Sequence, residues 1–227
     1  MANNYTVYLI NQMSTTQTFW CFLDKPVEVQ DDPGVFANSS ASLAIDSNAA
    51  STNYFTIPVQ YVVGAGASNK AVGLNVKINS SIVENADLTQ VWEATYANVS
   101  PNKGPTLTLD NATASDTSLK IVSNAFAQES NESQNWWASQ SFGIETEAGF
   151  MGMTWSPSPN QTRTLTPKLT FYISVGTFGI STLADWDDVS NAAATLSVPG
   201  SFNAGACTVT LLNNGTWTVK PGKPDAL

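Results

Sequence analysis

Apolar and polar residues alternate along this chain in short runs of period two, the pattern of half-buried β-strands. The clearest run is Leu169 to Val175. Leu169, Phe171, Ile173 and Val175 are expected to face a core, and Thr170, Tyr172 and Ser174 to face outward or line a groove. Phe55, Ile57, Val59, Tyr61 and Val63 alternate in the same way. Pro58 removes a ladder donor there, which suits an edge strand or a bulge. Val72, Leu74, Val76 and Ile78 read as the hairpin partner of that strand, across a loop from Gly64 to Asn69. Phe19 to Leu23 is continuously apolar and short enough for a strand buried on both faces, and Tyr5 to Ile10 is its expected hairpin partner. Glu84 to Tyr96 is the one segment with mildly helical spacing.

The stretch from Trp136 to Val175 organises the chain. Gln140 to Thr146 and Phe150 to Trp155 are expected to pair as a tight hairpin closed by Gly149. Asn214-Gly215 is the signature of a two-residue turn that would set Asn213 opposite Thr216 and Leu212 opposite Trp217. Asp185-Trp186-Asp187-Asp188 opens a short helix, with Ser181 or Thr182 as its expected cap. About twelve short strands, regular turns and almost no helix argue an all-β fold. The expected architecture is an antiparallel β-sandwich, jelly-roll-like, with little helix. Residues 1–227 are expected to form one domain, the alternative being a boundary near 100–105, where Ser100 to Pro105 has linker composition.

Composition narrows the chemistry. Only 12% of residues are charged, about half the usual ~25%. Solubility therefore rests on Ser, Thr, Asn and Gln with a net charge of −9, a surface common where proteins meet sugars or assemble with themselves. The few Lys are scattered and Arg163 is the only arginine, so nucleic acid is not an expected partner. The absence of His removes the commonest general base and the usual zinc ligand, and no motif implies a cofactor. Cys21 and Cys207 read as buried free thiols or as a disulfide, and the sequence leaves both open. No apolar run approaches ~20 residues, so no transmembrane helix is expected. The first residues lack a basic n-region and a signal-length apolar run, so a cytoplasmic location or leaderless release is expected.

The candidate ligand-binding residues are Trp136, Trp137, Trp155, Arg163, Asn135 and Tyr172. Flat aromatic faces stack on the C–H faces of sugar rings, while amides bind hydroxyls. If Trp136 and Trp137 lie in a strand, they point to opposite faces, so one faces outward. Arg163 sits near Trp155 and either forks onto a carboxylate or grips an anionic group. Glu145 and Glu147 fall on one strand face, but Glu147 sits in the turn before Gly149, which suits a solvated role more than glycosidase chemistry. Asp185, Asp187 and Asp188 lack the Gly and distal Glu of a calcium loop.

The sequence therefore points to a non-enzymatic, lectin-like recognition protein for a neutral glycan or a protein partner. Two alternatives stand beside it. One is a self-assembling, homo-oligomeric or toxin-like pore-forming β-protein, with Gly104 to Gln128 as the convertible segment. The other is a jelly-roll glycoside hydrolase using paired carboxylates.

Overall fold

The computed structural model describes residues 4–49, 52–78, 80–97 and 104–225, with the backbone alone at Ser80 and Ser81. Most of the strand grammar is local and is realised. The first strands are β1 (Asn4–Asn11), β2 (Gln17–Leu23), β3 (Val35–Ser39), β4 (Ser42–Ile45), β5 (Asn53–Pro58) and β6 (Tyr61–Ser68). Next come β7 (Ser80–Ala86), β8 (Gln90–Thr95), β9 (Thr106–Thr113), β10 (Leu119–Ser123), β11 (Trp137–Thr146) and β12 (Gly149–Trp155). The last are β13 (Thr162–Leu165), β14 (Thr170–Val175), β15 (Thr182–Ala184), β16 (Ala194–Ser197), β17 (Ala206–Leu211) and β18 (Trp217–Pro221). Among the described residues there are two short α-helices, α1 (Gln128–Ser133) and α2 (Trp186–Ser190), and one 3-10 turn at Val27–Val29.

The fold is an all-β sandwich, 51% strand and 7% helix. A six-stranded sheet runs β15-β3-β12-β11-β6-β7, and three four-stranded sheets run β18-β17-β1-β5, β16-β14-β2-β4 and β13-β10-β8-β9. Two pairings, β1 with β17 and β8 with β10, are parallel among otherwise antiparallel ladders. One buried cluster links all four sheets, from Val7 and Phe19 through Trp92 and Phe142 to Phe171 and Val209. Each such large side chain contributes about 1.5–3 kcal/mol by leaving water. β2 is buried on both faces, as its apolar run predicts. Phe19, Cys21 and Leu23 enter the main cluster, whereas Trp20 and Phe22 enter a second one with Ala37, Ala184 and Val189 beside α2.

Several expectations are corrected. β1 and β2 are not a hairpin, because the turn between them carries the chain from one sheet to another. The run from Phe55 to Val63 divides at Pro58 into β5 and β6, which belong to different sheets, and β5 takes the edge position that proline favours. Gly64 to Ser68 is not a loop. These small residues continue β6 in the middle of the six-stranded sheet, pairing with β11 and β7. Val72 to Ile78 is not a strand but an irregular segment whose Asn75 N donates to Leu183 O and whose Val76 O accepts from Leu183 N. The helical reading of Glu84 to Tyr96 fails because Val91, Trp92 and Thr95 favour a pleated surface, and β8 lies between β9 and β10. Asp185, rather than Ser181 or Thr182, caps α2, its carboxylate accepting from Asp187 N at 2.9 Å. The last hairpin pairs Leu211 with Trp217, one residue off the expected register. Gly215, not Asn214, takes the positive φ there (81°), so a three-residue loop with a glycine bulge replaces the two-residue turn. The linker-like stretch at 100–105 lies mostly outside the described residues, and β8 and β9 pair across it.

Candidate functional site

The outer face of the six-stranded sheet carries a groove whose floor follows from strand alternation. On β11, Gln140, Phe142 and Ile144 point into the core, which turns Ser139, Ser141, Gly143 and Glu145 outward. On β12, Met151, Met153 and Trp155 point inward, which turns Phe150, Gly152 and Thr154 outward. The hairpin register sets Glu145 beside Phe150, Gly143 beside Gly152 and Ser141 beside Thr154. The two glycines make room for an aromatic ring. A Cβ on Gly152 would stand 2.5 Å from Phe150 Cζ, and one on Gly143 2.7 Å from Phe150 Cε2. The Phe150 ring thus rests against bare backbone, a close approach only glycine permits.

Around this ring opens a cavity of about 360 Å³, lined by Asn38 and Ser40, Lys77 and Ile78, Val83, Ser141 and Thr154, Glu145, Phe150 and Ser181. Thr154 is buried, and its hydroxyl donates to Asn38 Oδ1 at 2.9 Å. That bond fixes the Asn38 amide with its Nδ2 free to donate. Among the described residues, Ser40 and Ser181 use their hydroxyls for no bond within the chain, and Glu145 has no ion-pair partner. Neighbouring protein atoms partly desolvate the Glu145 carboxyl and push its pKa above the usual carboxylate range. Lys77 brings a positive charge to the same groove. The arrangement offers hydroxyl and amide donors, one carboxylate acceptor and an aromatic surface.

Of the six residues expected from the sequence, Arg163 and Trp155 meet, whereas Tyr172 lies on β14 in another sheet. Trp155 is 1% exposed, so its ring presents no face to a ligand; its Nε1 donates to Gln140 Oε1 at 3.0 Å inside the core. Trp is drawn inward here because it buries a large apolar area and finds a polar partner for its N–H. Arg163 lies over that ring, 5.0 Å from the centroid, and forms an ion pair with Asp32 at 2.9 Å. Trp137 opens β11 on the same side as Ser139 and Ser141, and Trp136 precedes the strand; both are half-buried. Asn135 is exposed just before them, with φ of 57°. Trp137 and Glu145 mark opposite ends of β11, about 26 Å apart at the usual strand rise. Tyr172 packs on the second cluster, and its pKa is raised by burial and by Asp24 beside it. Ser174 is also buried, so the outer face of β14 is covered rather than open.

Glu147 is exposed in the turn and does not line the groove. Asp185 and Asp187 share a separate cleft of about 250 Å³ with Asp31, Asp32, Lys25 and Trp186. Two of these acids are engaged, Asp32 by Arg163 and Asp185 by the helix cap. Among the described residues, no group of three or more acidic, Cys or His side chains is placed to hold a metal ion. Cys21 and Cys207 are buried free thiols, and burial pushes Cys207 up to about 12. Asn38, Phe150 and Thr154 were missed in the sequence. The available signal was the pair of outward glycines at equal distances from the turn at Glu147-Ala148.

The chain matches no protein-family model, no curated protein and no solved structure, so its function has to be read from its own geometry.

Proposed function

We propose that this protein is a lectin-like recognition protein that binds a neutral glycan in the groove over β11 and β12, rather than at the tryptophan loops. The observation that carries this reading is the Phe150 ring, seated on Gly143 and Gly152 with polar groups around it, among them the Ser40 and Ser181 hydroxyls and the Glu145 carboxylate. A sugar ring stacks its C–H face on Phe150. Its hydroxyls accept from Asn38 Nδ2 and the Ser40 and Ser181 hydroxyls and donate to the Glu145 carboxylate. Hydroxyls both donate and accept, so one diol can bridge Glu145 and Lys77. A cleft of about 360 Å³ falls within the ~300–1,000 Å³ range of small-ligand sites. The low charge of the chain suits an uncharged ligand. Glu145 stands in the groove without Glu147, and glycosidases use two carboxyls, which favours binding over hydrolysis.

The test is a broad glycan array, followed by titration of the best binder against wild type, Asn38→Ala, Phe150→Ala and Trp137→Ala. Loss of stacking or of a donor in the groove is expected to weaken binding about tenfold, whereas Trp137→Ala leaves it unchanged. An array with no signal above background removes the glycan reading. Binding lost only in Trp137→Ala moves the site to the loops.

A further inference from the structure

The sheet β18-β17-β1-β5 has an outward face of its own. Its register lines up Tyr8, Thr208 and Lys220 in one row and Ile10, Thr210 and Thr218 in the next. The inward residues of the same strands, Val7, Leu9, Cys207 and Val209, are fully packed, so this floor is rigid. The C-terminal segment turns back over the face. Gly222 N donates to Ala206 O at 2.8 Å, and the Thr208 hydroxyl donates to Gly222 O at 2.9 Å. Between sheet and tail lies a cavity of about 470 Å³, bounded by Pro221 and Pro224.

Donors converge on this cavity. Lys220 and Lys223 line it, with Thr210, Thr218 and Gln12. Among the described residues, none of these five side chains has a hydrogen-bond or ion-pair partner in the chain. Among the described residues, Asp225 is the one acid in the lining. In a chain of net charge −9, two unpaired lysines beside two free hydroxyls form a local excess of positive charge. An ammonium donates and never accepts, so a ligand that satisfies both lysines must bring several acceptor oxygens and negative charge. We propose that this cavity is a second binding site, for a tetrahedral oxyanion, a phosphate or sulfate group. The lysines supply the charge, and Thr210, Thr218 and Gln12 supply directed hydrogen bonds. The site lies on a different sheet from the glycan groove and stands whether or not that groove binds sugar.

The experiment is a titration of the ¹⁵N-labelled full chain with inorganic phosphate, then sulfate, with chloride at matched ionic strength as control. The expected result is saturable shifts at the amides of Thr210, Thr218, Lys220 and Lys223 with both oxyanions and not with chloride. Lys220→Gln/Lys223→Gln is expected to weaken phosphate binding at least about tenfold, with the thermal midpoint unchanged. Thr210→Val keeps the charge and is expected to weaken binding by a smaller factor. The proposal is overturned by absent shifts, by shifts equally strong around Lys25, Lys70, Lys120 and Lys168, or by a double variant that binds like wild type. Two further arms assign the source of the group. Tighter binding of a sugar phosphate than of inorganic phosphate points to a soluble ligand. Co-sedimentation with phosphatidylserine vesicles that is lost in the double variant points to a lipid headgroup.

Discussion

Glu145 shows how one side chain can report on the groove. Its carboxyl is held above the ordinary range because neighbouring atoms strip part of the water from the ion. Such partial desolvation of an otherwise exposed side chain disfavours the charged form in the folded state. The penalty is therefore absent at pH below the ordinary carboxylate range and appears as pH rises through the elevated value. Glu145→Gln is expected to raise the thermal midpoint at neutral pH and to leave it unchanged in acid. Melting curves across pH check this, and a gain confined to acid would contradict it. Trp155 and Arg163 carry a different lesson. Both were plausible ligand contacts by type, yet the arginine is held by Asp32 and the indole by Gln140. Residue type alone could not reveal those partners, since Asp32 lies far from Arg163 in sequence.

At the scale of the element, the β11–β12 hairpin serves both the core and the candidate groove. Its inward residues belong to the main cluster, and its outward glycines seat Phe150. Gly152→Ala would set a methyl group 2.3 Å from Phe142 O, inside any permitted contact. The expected cost is about 2–3 kcal/mol in urea unfolding, because backbone or ring must shift. The displaced ring should also weaken whatever binds in the groove. A neutral substitution would mean that the strands relax there without loss. The hairpin itself was legible, because alternation and a turn before Gly149 are local signals. Its outward face was less so, because Gly143 and Gly152 gain meaning only when paired. The final hairpin slipped by one residue for a related reason. Asn-Gly suits two turn geometries, and the flanking pairs Leu211–Trp217 and Val209–Val219 selected between them.

For the whole molecule, the parallel pairing of β1 with β17 brings the two ends of the chain together in one sheet. The main cluster draws on strands from both sides of the 98–103 stretch, including Trp92 and Ala94 before it and Leu107 and Ile121 after it. We expect urea unfolding to give one transition, coincident by tryptophan fluorescence and far-ultraviolet circular dichroism. Two separated transitions would place a domain boundary near 100–105 instead. Among the described residues, no helix is long and apolar enough to cross a membrane.

The sequence by itself determined the all-β class, most strand positions and the two-faced burial of β2, because alternation and turn chemistry act over a few residues. Only the tertiary structure decided which strands share a sheet. It set β1 beside β17 rather than β2, and it carried the glycine-rich end of β6 into the sheet interior. Both candidate sites are of this second kind. The groove needs Asn38, Phe150 and Ser181, and the cavity beside the C-terminal segment needs Gln12 and Lys223, residues brought together by long-range pairing. Partner choice among strands depends on packing across the whole core, which no local pattern encodes.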